Sequence, residues 1–281
     1  MRPRLAAHHI AAADLVCGGV LLGAIILLAL LGPPLWPADP IAASMLSMFQ
    51  PPGRDAVGLL HPLGTDQIGR DLLARIIYGT RLSLAIVLMA GFVGATLGTA
   101  LGLVAGYFGG AVDAVIMRLV DIQLAVPFIL LILLVMAVLG PGIGNLVIVL
   151  GVTGWAIYAR TARARALELR DLEFVEAARS IGASVPRILR RHMLPNLMAP
   201  QLVLLTLDLP RLVVLEASVG FLGLGVPPPT PTLGNLIGDG QSYLLNADWL
   251  VIYPGLVISA MVVGFNLLGD WLARRTERRA A

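Results

Sequence analysis

The chain of 281 residues is 58% hydrophobic and only 13% charged, and its mean hydropathy is +0.87. This composition excludes an ordinary soluble globular domain and indicates a protein that crosses a membrane several times. Each crossing needs about 20 residues of helix to cover about 30 Å of hydrocarbon. The length therefore predicts an all-α integral membrane fold with about six transmembrane helices.

Arginine carries all of the positive side-chain charge, because the sequence contains no lysine. The missing lysine excludes a Walker A phosphate loop and Schiff-base catalysis. The net charge of +3 lies mostly in short loops, where arginine acts as a topology signal rather than as a nucleic-acid contact. Cys17 is the single cysteine, so no disulfide framework is expected. The four histidines are not spaced as a metal cluster.

Six apolar runs follow one another along the chain as predicted spans. They cover roughly residues 15–31, 82–107, 124–139, 142–158, 197–215 and 249–268. The first run is either a signal peptide or a retained anchor, and the proline-rich LGPPLWPADP that follows, without a small-residue cleavage site, favours the anchor. The turn residues GPGIG between the third and fourth runs predict a tight hairpin.

The arginines predict which side of the membrane each loop occupies. The clusters at 160–191 and 274–279 are expected in the cytoplasm together with both termini, and the arginine-free stretch 220–248 is expected outside. One external segment disagrees with the rule, because it contains four arginines: Arg54, Arg70, Arg75 and Arg81.

The chain is expected to divide into two parts. Residues 1–80 hold the first transmembrane helix and an external amphipathic stretch, and residues 81–281 form a core of five transmembrane helices with a long loop at 159–197. The stretch DQIGRDLLARIIYG predicts a helix on the outer membrane surface. Lipid anchoring is the favoured role of this helix, and docking of a binding protein is the alternative. The predicted lipid-facing side chains are Leu72, Leu73, Ile76 and Ile77.

Four glycines recur at four-residue spacing in the second predicted span. Such spacing places a groove on one face of the helix, where a neighbouring backbone approaches closely. Static packing is the favoured interpretation, and a moving helix contact is the alternative. The four are Gly94, Gly98, Gly102 and Gly106.

The fifth predicted span contains three charged residues. Asp208 and Arg211 are three residues apart on a helix, so they share a face and are expected to pair. A charge at mid-bilayer costs about 2.5–3.5 kcal/mol, which favours a bundle interior or a wet pathway. Two interpretations remain open, a pair that lines or gates a translocation route and a structural pair near a subunit interface. Glu216 lies near the external end of the span, where simple exposure at the level of the lipid headgroups is expected.

Other charges, Asp113, Arg118 and Asp121, are expected in a short cytoplasmic loop between the second and third spans. Salt pairing at the membrane interface explains these charges without a function.

The polar stretch EAARSIGASVPRILRRHMLPN lies in the longest predicted cytoplasmic loop. Its start predicts a short helix with small residues that ends at a glycine, and its end predicts a turn back into the fifth span. Arginine-rich loops are common in bacterial membrane proteins, so composition alone assigns no role. The spacing is more specific, because it combines Glu176, Ala177 and Ala178 with Gly182 and Ala183, and then with Leu194 and Pro195 twelve residues after the glycine.

This pattern resembles the signature loop of permease subunits of ATP-binding-cassette importers. The resemblance implies that the short helix inserts into a cleft on a cytoplasmic ATPase and couples ATP hydrolysis to transport. His192 departs from the pattern, which usually has isoleucine there, and Met193 is the nearest apolar residue. Three further segments are similar to the C-type permease of dipeptide, oligopeptide and nickel importers: HPLGTDQIGRDLLARIIYGTRLSL, NLMAPQLVLLTLDLPRLVVLEASVGFLGLGVPPP and YPGLVISAMVVGFNLLGD.

The resemblance implies half of a heterodimeric pathway for peptides or similar small solutes in the plasma membrane, the inner membrane of a bacterium. It also suggests a gate or interface position for Glu216. A second permease, two ATPase subunits that bind ATP and Mg, and an extracytoplasmic substrate-binding protein would be its partners, and the chain itself would hold no cofactor and act as no enzyme. Nickel or another solute remains open. An ion-coupled secondary transporter would show inverted repeats, and an integral-membrane enzyme would show convergent catalytic groups. Neither pattern is recognised in the sequence.

Overall fold

The computed structural model describes residues 2–54 and 58–280, and the surroundings of side chains for 15–54 and 58–276. The described chain is mainly helical. Its helices are α1 (Arg2–Leu35), α2 (Leu72–Phe108), α3 (Gly110–Ala125), α4 (Phe128–Leu139), α5 (Ile143–Arg170), α6 (Glu173–Ser180), α7 (Val185–Ile188), α8 (Leu194–Phe221), α9 (Leu233–Gly240) and α10 (Trp249–Ala280). A π-helical turn, Leu189–Met193, joins α7 to α8. Two short strands, β1 (Gly53–Arg54) and β2 (Leu60–His61), pair antiparallel.

The lengths and apolar composition of the helices confirm an all-α membrane fold. Within the described residues, four helical stretches are long and apolar enough to cross a membrane: Leu15–Leu35, Leu72–Phe108, Ile143–Arg170 and Trp249–Thr276. Helices α3 and α4 count as a fifth span if the pair is taken together, with a bend of 93° between them. Helix α8 has 28 residues and contains three charges, and it is not among these four stretches. The predicted number of six is therefore approximate.

The connection after α2 differs from the predicted short loop. Gly109 adopts a φ of +65°, and the chain continues at once into α3, which contains all three charges assigned to that loop. The prediction of a short loop was wrong, because the apolar runs of the second and third predicted spans did not reveal the helix that lies between them. The expected pairing is confirmed for two of the charges, since Asp113 binds Arg163 and Asp121 binds Arg160.

The predicted outer surface helix is also wrong, because its residues form the first turns of the long helix α2. Leu72, Ile76 and Ile77 are 1–2% exposed, so protein rather than lipid covers them. The charged residues of the same stretch are buried as well. Asp71 caps the helix, because its carboxylate accepts a hydrogen bond of 2.7 Å from the backbone N–H of Ala74.

Two buried aspartates organise the segment before α2. The Asp66 carboxylate accepts hydrogen bonds from the guanidinium groups of Arg70 and Arg75 and from the backbone N–H of Ile68 and Arg70. Asp71 binds His61 Nδ1 at 2.8 Å and accepts a 3.0 Å bond from the Trp36 indole N–H. Two of the four arginines that disagreed with the topology rule are therefore neutralised inside the protein.

The glycines of α2 pack against α5, which gives the predicted groove its neighbour. A Cβ built on Gly98 would lie 2.3 Å from the carbonyl oxygen of Trp155, and one on Gly102 would lie 2.2 Å from that of Ala159. A Cβ on Gly106 would also lie within 3 Å of α5, and one on Gly94 would be tight, at 3.0 Å. At Gly98, Gly102 and Gly106 the two backbones approach so closely that only glycine fits. The glycine row thus aligns α2 with α5 along much of the bundle.

Candidate functional site

The loop after α5 begins with the helix that the sequence predicted. Helix α5 extends to Arg170 before α6 starts, so the helix of the fourth span continues beyond the apolar run that ends near residue 158. Helix α6 ends in a Schellman motif, in which the N–H of Ala183 bonds to the Ala178 carbonyl at 3.0 Å and the N–H of Gly182 bonds to the Arg179 carbonyl at 2.9 Å. Gly182 has a φ of +77°, a conformation that favours glycine. The predicted stop at this glycine is confirmed.

The structure gives the two alanines of the motif opposite environments. Ala178 is 5% exposed and Val175 is fully buried, so these two residues attach α6 to its own chain. Glu176 and Ala177 are exposed on the other face, and Ile181 next to them is 85% exposed. The exposed face thus combines a carboxylate, a small side chain and an uncovered apolar side chain, which is a surface suited to contact another protein.

The π-helical turn explains how the chain accommodates His192. The turn places Met193 in the interior, where it is fully buried, while His192 stays half-buried near the surface. The His192 ring lies 6.4 Å from the ring of Phe174 at the start of α6. Leu194 is half-buried and Pro195 is exposed in the first turn of α8. Met193 therefore supplies the apolar side chain that the resemblance expected one residue earlier.

A single apolar cluster joins α6 to three long helices. Val175 and Ala178 of α6 pack with side chains of α2, α5, α7 and α8 and with the π-helical turn. These side chains are Leu103, Ala162, Ala166, Leu169, Ile188, Met193 and Leu197. Arg179 of α6 also places its guanidinium 5.0 Å from the ring centroid of Tyr107 on α2. A displacement of α6 would therefore be transmitted to α2, α5 and α8, because close-packed side chains transmit strain.

The predicted pairing of Asp208 with Arg211 is confirmed, and the structure adds two partners to the pair. The Asp208 carboxylate accepts hydrogen bonds from Arg211 Nε at 2.6 Å and from the Tyr158 hydroxyl at 2.9 Å. The Arg211 guanidinium lies 4.3 Å from the ring centroid of Phe128. Sequence reasoning missed Tyr158 and Phe128, because both are distant along the chain and no local spacing links them to α8.

Glu216 is not exposed at headgroup level, so that expectation is wrong. Its side chain is 1% exposed, because helices α2 and α9 pack around this part of α8. The Glu216 carboxylate accepts a hydrogen bond of 3.2 Å from the Ser83 hydroxyl. Ser83 in turn accepts one of 3.1 Å from the backbone N–H of Leu233. Glu216 thus belongs to a polar link between α2, α8 and the start of α9.

No group of three or more metal-ligating side chains lies together in the described part of the chain. The site therefore consists of a contact surface on α6, an apolar cluster behind that surface, and buried polar links among the long helices. These features can transmit movement between α6 and the long helices.

Comparison with known protein families assigns the chain to one of them. The model of the family described as "Binding-protein-dependent transport system inner membrane component" matches residues 98–281. The chain belongs to this family. It is therefore a membrane-embedded permease subunit of a transport system, and it is not an ATPase.

Several curated relatives extend the similarity over most of the chain. The dipeptide transport system permease protein DppC of Haemophilus influenzae is 37% identical over 260 residues, which cover 90% of this chain and 88% of the relative. A putative peptide transport system permease protein of Brucella suis is 40% identical, with 91% and 84% covered. The oligopeptide transport system permease protein OppC of Bacillus subtilis is 35% identical, with 91% and 82% covered.

Solved structures support the fold of this permease. An inward-facing form of the MetNI methionine ABC transporter matches with a TM-score of 0.57 and 21% identity, and the match covers 72% of this chain and 95% of that one. An amino acid ABC transporter crystallised with histidines matches with a TM-score of 0.52 and 20% identity, with 72% and 94% covered. At this level of identity the likeness concerns the fold alone.

Proposed function

We propose that the protein is one half of the translocation pathway of an ATP-driven importer of peptides or similar small solutes. The exposed face of α6, attached to the bundle by Val175 and Ala178, is the observation that carries this proposal. The peptide permeases among the relatives support the substrate class. Nickel or another small solute is the alternative cargo.

In the proposed mechanism, two soluble ATPase subunits bind ATP and Mg and supply the energy. Their closure pushes α6, and the apolar cluster passes the movement to α2, α5 and α8. The bundle then shifts between an inward-open and an outward-open state, as in other two-state switches. ATP undergoes no chemistry on this chain. The residues proposed for coupling are Glu176, Ala177, Ala178, Gly182, Ala183, Leu194 and Pro195.

The proposed assembly contains further subunits besides the two ATPases. A second, homologous permease completes the pathway as a heterodimer, and an extracytoplasmic binding protein delivers the solute. Both termini lie in the cytoplasm of a cell whose plasma membrane holds the complex. Residues 1–80 are proposed as the N-terminal segment with the first transmembrane helix, and residues 81–281 as the permease core with the coupling loop at 159–197. The boundary between the two parts falls inside α2.

Cysteine cross-linking tests the docking of α6. In a Cys17→Ser background, Ala177→Cys is expected to cross-link efficiently to an ATPase subunit in the purified complex, because Ala177 is exposed on α6. Ala178→Cys is the matched control, since it lies one residue away and faces the interior. The products are detected by gel electrophoresis and mass spectrometry.

Equal cross-linking of the two cysteines would contradict the assigned face. Absence of any ATPase from the complex would contradict the importer itself, and so would uptake that persists without an ATPase and stops when the proton gradient collapses.

The charged pair on α8 is proposed to line the pathway. Replacing both residues, in Asp208→Leu/Arg211→Leu, removes the two charges together and leaves neither one unpaired. Uptake is expected to fall at least about tenfold while insertion is preserved, because a charge held in a membrane bundle is most often functional. Transport assays in proteoliposomes measure the effect.

The control variant is Asp121→Leu/Arg160→Leu, which removes an ion pair whose side chains are more than half exposed. Unchanged uptake in the Asp208→Leu/Arg211→Leu variant would leave the pair with a structural role only. Glu216, linked through Ser83 to α9, is proposed to stabilise the external end of the same pathway.

A further inference from the structure

Two neighbouring cavities meet at Arg190. The first is a groove of about 460 Å³ between α2 and α8, lined mainly by apolar side chains such as Phe92, Leu103, Val104 and Leu205. The second is a cavity of about 550 Å³ whose lining includes three arginines. Because Arg190 contributes to both, one continuous site has an apolar part and a cationic part.

The length of the groove matches one leaflet of a bilayer. From Phe92 to Val104 the groove follows α2 for about 18 Å, at about 1.5 Å of rise per residue. One leaflet provides about half of the roughly 30 Å hydrocarbon thickness. The groove ends beside Leu189 and Leu194, where the coupling loop joins α8. The groove therefore spans the depth that a lipid chain occupies in the leaflet next to that loop.

The cationic part is suited to an anion. Arg187, Arg190 and Arg191 are exposed, and none of them forms an ion pair within the part of the chain that the structure describes. Neither cavity has an acidic residue in its lining. Three unneutralised guanidinium groups at the mouth of an apolar groove attract a phosphate group, for which arginine offers several donors.

We propose that this site binds one anionic phospholipid, with the phosphate on the arginines and one acyl chain in the groove. Basic clusters beside membrane helices on the cytoplasmic side recognise anionic headgroups in this way. The inference rests on the proposed orientation, which puts the coupling loop in the cytoplasm. The lipid would contact α2, the π-helical turn and the start of α8, and it would brace the connection through which α6 moves the bundle.

Native mass spectrometry of the assembled complex tests this site. The complex is titrated with phosphatidylglycerol and, separately, with phosphatidylcholine. Phosphatidylglycerol is expected to bind at least about tenfold more tightly, since each arginine near an anionic lipid surface contributes about fivefold and the site has three. The variant R187Q/R190Q/R191Q is expected to abolish this preference. The matched control R118Q/R165Q/R275Q removes three charges elsewhere and is expected to retain it.

A second variant tests the groove separately from the charges. Ala100 is exposed and lines the groove, so Ala100→Trp is expected to weaken phosphatidylglycerol binding at least about tenfold while all three arginines remain. Inorganic phosphate is added as a competitor, and it is expected to displace no lipid at millimolar concentration.

Several results would overturn the proposal. Equal binding of the two lipids, or unchanged binding to R187Q/R190Q/R191Q, would show that the arginines select no anion. Unchanged binding to Ala100→Trp, or full competition by inorganic phosphate, would show that the groove holds no acyl chain. Binding to the isolated chain but not to the assembled complex would assign the groove to the second permease. These measurements do not depend on transport. A negative result would therefore contradict only the lipid site, and the importer assignment would still be tested by the cross-linking experiment.

Discussion

Replacing Gly102 with valine is expected to destabilise the folded protein by about 3 kcal/mol or more, at or above the upper end of the usual cost of overpacking. A Cβ at this position would lie 2.2 Å from the carbonyl oxygen of Ala159 and 2.8 Å from the Cβ of Ala162. A backbone oxygen cannot rotate away, so α2 and α5 would have to separate. The thermal unfolding midpoint and the monodisperse fraction of the purified complex in detergent measure the loss.

Gly144→Val provides the matched control for this substitution. Gly144 also lies in a helix, α5, but nothing lies within 4 Å of a Cβ built there. Its unfolding midpoint is expected to change little. If the Gly102 and Gly144 variants lost the same stability, close packing of the glycine row would not be the reason for its spacing.

Replacing Asp66 with alanine is expected to lower the free energy of unfolding by about 3–5 kcal/mol, because it leaves the buried Arg70 without its counter-charge and Arg75 with only a longer contact to Asp239, at 3.4 Å. Asp66 is 2% exposed, and Arg70 and Arg75 are 6% and 2% exposed. Two backbone N–H groups would lose their acceptor as well. Denaturant titration of the purified complex, with limited proteolysis of the segment before α2, measures the effect.

Asp121→Ala is the control for this prediction. Asp121 also binds an arginine, Arg160, but both side chains are more than half exposed, and exposed pairs contribute about 0–1 kcal/mol. Adding Arg75→Met to Asp66→Ala is expected to restore part of the lost stability, since it removes a buried charge that has lost its main partner. No recovery in that double variant would show that the backbone bonds of Asp66 matter more than its ion pairs.

Local signals were sufficient to predict several elements correctly. The glycine at 182 marked the end of α6, because a left-handed conformation after a helix favours that residue. The spacing of Gly94, Gly98, Gly102 and Gly106 predicted a close helix contact, and the spacing of Asp208 and Arg211 predicted their pair. Each of these inferences depends on residues within a few turns of one another.

Other features could not be predicted, because they depend on partners distant in the chain. The bend between α3 and α4 interrupts an apolar run that looked like one span. The side chains of Leu72 and Arg75 both became buried, although their pattern was amphipathic. Tyr158 and Ser83 had no motif of their own, and only the packing of α5 and α2 against α8 brought them to Asp208 and Glu216.

The sequence by itself determined the membrane class, the all-helical architecture and the resemblance of the loop around Glu176 to a coupling loop. These properties follow from composition and from short-range spacing, since hydrocarbon forces backbone groups to bond within each helix. Only the tertiary structure decided which alanine of the motif faces outward, which arginines are neutralised, and how Met193 replaces the expected side chain at His192. Those outcomes depend on which surfaces neighbouring helices cover.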